Sequence, residues 1–441
     1  MRNELRLLLA TGVGISVVVA ACSASDDGSK FGDGGGGSGG NGGSGASTST
    51  GPGGFNTSGG AAGGGSQGTC DSTDTEDKDK DGWTKADGDC NDCDPNVNPG
   101  AIEVIVDGSG GGGGAAPPAD EDCDGVIDNV APGCDDALAF DDQDPKNGAH
   151  AIDICQDSDG KKWGIVSATY TRANGVGAPL SPAAHGIYDN FGANVNPQQG
   201  SHMLVLSSGF SRLPGQPNAA ADHMAYQAGG IGLGAGQAPP NFPQGVSNCP
   251  GATNINDDVA LDLKIKVPSN ATGYRFKFKF YSFEFAEWVC TDYNDQFIAL
   301  VNPPPMGSLN GNITFDAMGN PVSVNIAFFD VCDPVANNDF AADCFTGNCP
   351  APPNPYCPLG PGELTGNGFD NAFGSFLEDA GGTTWLQTQA PVDPGSEIDI
   401  RFAIWDTGDE IYDSTVLVDG FEWIANGGTV TVGTDPIPDP K

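Results

Sequence analysis

The sequence predicts an all-β fold, a jelly-roll-like antiparallel β-sandwich that spans residues 160–425. In residues 261–267, apolar side chains take every odd position and charged ones every even position, whereas residues 274–280 place aromatic side chains at even positions. A period of two is typical of strands that have one buried and one solvated face. Gly, Pro and Asn fill the gaps, and no long stretch has the helical period of about 3.6 residues.

Further segments of the domain have the same strand pattern and are separated by turn residues. They are residues 165–170, 202–206, 297–301, 322–329, 398–405 and 416–423. Many short strands in one domain of this size predict two sheets packed face to face, which is the jelly-roll-like arrangement.

Residues 1–21 have the features of a secretory signal peptide. Arg2 and Arg6 form a charged beginning, and the apolar run 7–21 follows them. This run is shorter than the about 20 residues that a membrane-spanning helix needs, so we expect export rather than a membrane span.

The apolar run ends in small residues followed by Cys22, which resembles the lipobox of bacterial lipoproteins. The resemblance implies that Cys22 is lipidated and anchors the chain in a membrane. Ser23 follows it, and by resemblance to lipoprotein sorting in Gram-negative bacteria this favours the outer membrane, with exposure at the cell surface. The alternative is an ordinary signal peptide cleaved after Ala21 or Ala24, in which Cys22 is incidental.

Residues 22–68 are predicted to be a disordered tether. Gly, Ser, Asn and Thr dominate the segment, and it cannot bury enough apolar surface to offset the entropy lost on ordering. A flexible chain of this length has an end-to-end distance of roughly 35–40 Å, enough to lift the later domains clear of lipid headgroups.

Charge and cysteine content restrict the class of protein. The chain has 58 acidic residues against 18 basic ones, a net charge of −40, which excludes nucleic acid as a partner. Aspartate supplies most of the acid, and aspartate favours turns and cation-binding loops. Thirteen cysteines in an exported chain indicate disulfides. Apart from Cys22, they divide evenly about residue 160, which fits two independently crosslinked regions.

Residues 69–159 form an acidic, loop-rich, disulfide-bearing module with two candidate Ca²⁺ loops. Aspartates at alternate positions followed by a glycine can wrap one calcium ion. The predicted metal ligands are Asp77, Asp79, Asp81 and Trp83 in the first loop, and Asp120, Asp122, Asp124 and Asp128 in the second. Residues 157–160 are a degenerate third copy. The first loop is not an EF-hand, because Gly88 stands where the EF-hand has a bidentate glutamate.

Residues 89–95, 98–103 and 122–128 complete a pattern of D-C-x-D-x-D-P, P-G-A-x-E and D-C-D-G-x-x-D elements. With the first loop, this resembles a metal-binding repeat of bacterial surface proteins, which implies cation binding and no catalysis. A glycine-rich insert at 109–118 and the extra thiol of Cys93 depart from that repeat. The alternatives are a solvated acidic linker, and a zinc site at Cys90 and Cys93 that lacks histidines nearby.

Blocks within the sandwich resemble the choice-of-anchor L domain of bacterial surface proteins. They are residues 163–168, 191–195, 198–200, 203–209, 280–288, 293–297, 402–409 and 413–419. The resemblance covers nearly all of 160–425 and implies surface display, but it supplies no biochemical activity. Residues 426–441, a C-terminal tail, have no apolar segment and no basic stop, which agrees with an N-terminal anchor.

Carboxylates near the predicted strand ends are candidates for a second kind of site. We expect Glu287, Asp295, Asp409 and Asp413 to help form a structural calcium site in the sandwich, and the alternative is that they are ordinary turn residues.

The sequence favours a protein that is not an enzyme. The D-T-G motif at residues 406–408 occurs once, whereas an aspartic protease needs two aspartates that share a proton. The G-x-S-x-G pattern occurs only within the glycine-rich segment, at residues 36–40 and 64–68, and not in the predicted sandwich. We therefore expect a surface lipoprotein with calcium-binding loops that acts in adhesion or recognition, with surface glycans or other cell-surface proteins as partners. The alternatives are a structural envelope protein without a specific ligand and a glycan-active enzyme using paired carboxylates.

Overall fold

A computed structural model describes residues 71–105, 118–177, 179–221, 231, 233–246, 249–286, 288–326, 328–333, 357–370, 380–425 and 428–437. All of them belong to one compact unit that runs over Gln67–Lys441. The predicted signal peptide, Cys22, the tether, most of the glycine-rich insert and Glu287 lie outside the described residues. Within the described ranges, no helix is long and apolar enough to cross a membrane.

Thirteen strands build the described part of the chain. They are β1 (Gly164–Thr171), β2 (His185–Tyr188), β3 (Met203–Ser207), β4 (Ile255–Lys266), β5 (Gly273–Ser282), β6 (Gln296–Asn302), β7 (Val322–Ser323), β8 (Phe329–Cys332), β9 (Gly381–Thr383), β10 (Leu386–Pro391), β11 (Glu397–Thr407), β12 (Ser414–Ile424) and β13 (Gly433–Pro436). One α-helix, α1 (Pro145–His150), and two 3-10 helices, Lys85–Asp87 and Gly362–Leu364, accompany them.

The strands form two antiparallel sheets, which confirms the predicted all-β sandwich. The first sheet has five strands in the order β1-β4-β11-β6-β7. The second has eight, with the order β13-β10-β5-β12-β3-β2 and the pair β8 and β9 beside β5. Among the described strands, the chain passes from one sheet to the other seven times, between β1 and β2, β3 and β4, β4 and β5, β5 and β6, β7 and β8, β10 and β11, and β11 and β12.

Aromatic side chains from both sheets fill the space between them. Phe276 of β5 contacts Phe402 of β11 edge to face, with ring centroids 5.0 Å apart, and Phe278 lies 5.2 Å from Phe297 of β6. All four rings are fully buried. The alternation seen in residues 261–267 and 274–280 therefore places apolar side chains between the sheets, as predicted.

The prediction of a solvated outer face is wrong for the second half of β5. Lys279 is 0% exposed and forms an ion pair with Glu363, because residues of the loop at 357–370 cover this side of the sheet. Leu364 and Phe369 of that loop join a second hydrophobic cluster with Tyr281. A period of two identifies the two faces of a strand, but it does not show which loops pack on the outer face.

Residues 322–329 are not the single strand that the sequence predicted. Val322 and Ser323 pair with β6 in the first sheet, whereas β8 begins at Phe329 and pairs with β9 in the second. A turn between them, closed by a hydrogen bond from the Ile326 amide to the Ser323 carbonyl, carries the chain from one sheet to the other. The apolar pattern continues through this turn because both ends of it are buried.

Part of the acidic module packs into the sandwich. Ala149, Ile152 and Ile154 are fully or nearly fully buried in the main core, and a disulfide joins Cys134 to Cys155. The expected boundary at residue 159 thus falls inside one packed unit, and β13 lies within the expected C-terminal tail.

Four of the five outer strands in the described part of the two sheets are short. β2, β8 and β13 have four residues each, and β7 has two. The fifth, β1, has eight residues, with an irregularity in its pairing between Ile165 and Ser167. Ile165 is also bridged on its outer side by Asp157.

Candidate metal centres

The first acidic loop brings together Asp77, Asp79 and Asp81, as predicted. One oxygen from each lies within 4.8 Å of the others. Asp77 accepts hydrogen bonds from the backbone amides of Lys80 (2.7 Å) and Gly82 (3.1 Å), which folds the loop around the carboxylates. Gly82 has φ 95°, a left-handed conformation that favours glycine.

Two aspartates that the sequence analysis did not select extend this group. Asp89 and Asp92 are 4% and 0% exposed, and each contributes an oxygen within 4.8 Å of Asp79 and of the other. Asp89 Oδ2 and Asp92 Oδ2 have no hydrogen-bond donor among the described residues. Burial and neighbouring carboxylates raise the pKa of Asp79 and Asp89. Burial also raises the pKa of Asp81, to about 6.

The second acidic loop repeats the conformation of the first. Asp120 accepts from the amides of Asp124 (3.1 Å) and Gly125 (3.0 Å), and Gly125 has φ 94°. Asp120 and Asp122 lie within 4.8 Å of Glu103, which the sequence analysis did not select. Burial raises the pKa of Glu103 and of Asp122.

The remaining predicted ligands of the second loop lie apart from that group. The Asp124 oxygens accept instead from the Val126 amide (2.7 Å) and the Asn129 side chain (2.7 Å). Asp128 belongs to a separate group with Glu103 and Glu121. A disulfide between Cys90 and Cys123 joins the two loops, and Cys93 is also disulfide-bonded.

Asn98 connects the first loop, with its buried Trp83, to the sandwich. The Trp83 ring is 6% exposed, and the Trp83 amide donates to Asp81 Oδ1 (2.7 Å). The fully buried Asn98 donates to Asp81 Oδ2 (2.8 Å) and accepts from the Ser269 hydroxyl (2.8 Å) in the turn between β4 and β5. The position of Asp81 in the first loop therefore depends on how that loop packs against the sandwich.

A third group lies inside the sandwich, where Glu284, Asp295 and Asp406 meet. On β11, Phe402 and Ile404 face the core, and Asp406 continues that face to the end of the strand. Asp295 stands two residues before the core residue Phe297, on the same face of β6. Glu284 lies in the turn that follows β5.

The three carboxylates are fully buried, with one oxygen from each within 4.8 Å of the others. The Asp295 amide donates to Glu284 Oε2 (3.2 Å), and the Thr407 amide donates to Asp295 Oδ1 (2.9 Å). Glu284 Oε1, Asp295 Oδ2 and both Asp406 oxygens lack a donor among the described residues. Burial raises the pKa of Asp295 to about 7, and it raises those of Glu284 and Asp406 well above their usual range.

The other carboxylates predicted for this site are distributed around it. Asp413 is 1% exposed and directly precedes β12, and its charge contributes to the raised pKa of Glu284 and Asp406. Asp409 is half-buried, and its Oδ1 accepts from the Ile411 amide (3.1 Å). Glu284 and Asp406 were not among the ligands predicted from the sequence. A signal in the sequence could have identified them, because each continues the alternating series of core residues at the end of its strand.

A search of curated proteins finds no match. Among solved structures, one match is the enzymatically active domain of tailspike protein 4 of bacteriophage CBA120, with 10% identity and a TM-score of 0.20. The alignment covers 62% of this chain and 22% of that one. A likeness at this TM-score carries no inference about fold or activity.

The family model of the choice-of-anchor L domain matches residues 166–422, from β1 to β12. This match confirms the resemblance seen in the sequence, and it begins after the acidic module, whose similarity to a metal-binding repeat stays a prediction. Choice-of-anchor domains are typical of bacterial cell-surface proteins. Because this family model spans more than half of the sequence, the chain belongs to the choice-of-anchor L domain family.

Proposed function

We propose that this protein is a lipid-anchored surface protein whose acidic module binds calcium, and that the sandwich it carries acts in adhesion or recognition. The observation that supports calcium binding best is the group formed by Asp79, Asp89 and Asp92. One oxygen of each, the Oδ2 atom, is buried and lacks a donor among the described residues. Calcium takes oxygen ligands at about 2.3–2.6 Å, so ligand oxygens within 4.8 Å of one another fit around a single ion.

Calcium has a mechanical role in this proposal. Without a cation, the aspartates of the first loop repel one another, and burial makes each charge costly. A bound ion removes that repulsion and fixes the loop that contacts the sandwich through Asn98. The acidic module then keeps one conformation against the sandwich, and recognition becomes dependent on calcium.

The first experiment is a thermal melt of residues 69–441 in calcium, in magnesium and in chelator. An ion that binds only the folded state raises the free energy of unfolding by about 2.7 kcal/mol at a hundredfold excess over Kd. We expect a rise in Tm in calcium that Asp79→Asn and Asp89→Asn each reduce. Asp74→Asn, at an exposed position outside these groups, is the matched control. Equal melting temperatures in calcium and chelator would contradict calcium binding by the module.

The anchor and the recognition role need separate experiments. Cys22→Ala should move the protein from the membrane fraction to the soluble fraction of the producing cells, and retention in the membrane would refute the lipid anchor. For recognition, beads coated with residues 69–441 are mixed with bacterial cells and with immobilised surface polysaccharide. Binding that requires calcium supports adhesion, and the absence of binding to either supports a structural envelope role.

A further inference from the structure

We propose that Glu284, Asp295 and Asp406 form a second calcium site, enclosed between the two sheets and independent of the acidic module. The three strand ends that meet there belong to different sheets. Glu284 follows β5 of the second sheet, whereas Asp295 directly precedes β6 and Asp406 lies on β11, both of the first. A bound ion therefore links the sheets at one end of the sandwich.

The arrangement of oxygens supports a ligand rather than a self-sufficient network. Glu284 and Asp295 each have one oxygen that accepts a backbone amide and one with no donor among the described residues. Asp406 has no donor for either oxygen in that same part of the chain. All three side chains are 0% exposed. Buried polar atoms normally have a partner, and those that lack one need an explanation such as an ion.

The energetic cost of burying these carboxylates without a cation also supports an ion at this site. A buried carboxylate that is neither paired nor fully hydrogen-bonded is strongly destabilising. Here three of them converge, and the buried Asp413 stands beside them. A divalent cation converts this mutual repulsion into attraction, and the amide hydrogen bonds of Asp295 and Glu284 then serve to aim the ligand oxygens.

The donor set selects the kind of cation. Carboxylate oxygens without histidine or cysteine suit hard ions and disfavour zinc. Magnesium retains several waters, which a fully buried group has little room to admit, whereas calcium accepts six to eight oxygen ligands in flexible geometry. Calcium is therefore the ion that this site fits.

The test is a pair of nearly isosteric variants, Asp406→Asn and Glu284→Gln, each measured in the full chain from residue 69. Because each removes an ionisable carboxyl group that is costly to bury without a cation, we expect Tm in chelator to equal or exceed that of the wild type. In calcium the same variants should melt below the wild type, since a ligand is lost. Asp316→Asn is the matched control, because Asp316 is buried but both of its oxygens accept hydrogen bonds from Met318 and Asn320.

Equilibrium dialysis with radioactive calcium separates this site from the acidic module. Asp406→Asn should bind one ion fewer per chain than the wild type, and Asp79→Asn should retain the sandwich ion. A Tm loss of equal size in calcium and chelator for both site variants, or an unchanged number of bound ions, would overturn the proposal. That outcome would leave the calcium response of the acidic module to be judged by Asp79→Asn alone.

Discussion

Replacing Asn98 by alanine tests whether the first acidic loop and the sandwich form one cooperative unit. The Asn98 side chain is fully buried and makes four hydrogen bonds, to Asp81 (2.8 Å), the Pro95 carbonyl (3.3 Å), the Gly100 amide (2.8 Å) and the Ser269 hydroxyl (2.8 Å). Each net hydrogen bond contributes about 1 kcal/mol, and partners left buried cost more. We therefore expect Asn98→Ala to lower the free energy of unfolding by about 3–4 kcal/mol.

The assay is urea unfolding in chelator, followed by tryptophan fluorescence, so that calcium does not contribute to the difference. Asn302→Ala is the matched control, because Asn302 is exposed and makes one side-chain hydrogen bond, to Asp399 (3.3 Å). Asn302→Ala should lower the free energy of unfolding by less than about 0.5 kcal/mol. Ser269→Ala alone should cost about 1 kcal/mol, and less than that in the Asn98→Ala background.

Two results would refute this reasoning. A loss below about 1 kcal/mol for Asn98→Ala would show that the loop and the sandwich are energetically separate. Additive losses for Asn98 and Ser269 would show that the bond between them contributes nothing. If the loss is as large as expected, the same variant should also weaken calcium binding, because Asp81 loses the donor that holds its Oδ2.

Three further predictions concern the sandwich, each measured by urea unfolding. Glu363→Gln should cost about 2–3 kcal/mol because it leaves the charge of Lys279 buried, and adding Lys279→Met should restore most of the loss; no recovery would refute this. Burial lowers the pKa of His185 from 6.5 to about 4, so the unfolded chain binds a proton that the fold excludes. Wild-type stability should fall by roughly 3 kcal/mol more than that of His185→Phe between pH 6.5 and 4, and parallel curves would contradict it. Phe402→Ala should cost about 3–5 kcal/mol, and a cost below 2 would show that the core collapses into the space.

The sequence predicts the β-sandwich well because one physical rule sets its strands. Side chains on β4 and β5 alternate between the core and the opposite face, and that alternation is visible in 261–267 and 274–280. Short strands such as β2 and β13 carry too few residues for a period to be seen. The burial of Lys279 depends on a loop some 80 residues away, and no local pattern contains that information.

Some residues of the candidate sites could be predicted from local sequence, and others could not. Asp77, Asp79 and Asp81 lie in one short segment, so their spacing predicts that they converge. Glu284 and Asp406 come together only because β5 and β11 belong to facing sheets, which requires knowledge of the strand order. The buried Asp89 and Asp92 are adjacent to the first loop in sequence, but their burial is a property of tertiary packing.

The lengths of the outer strands have a consequence for a cell-surface protein. Where neighbouring copies on one cell meet, open strand edges would let their sheets join edge to edge. Here β2, β7, β8 and β13 offer at most four residues each, and the longer β1 is irregular and bridged by Asp157. Crowded copies should therefore remain individual molecules, and any contact between cells falls to side chains and loops rather than to shared strands.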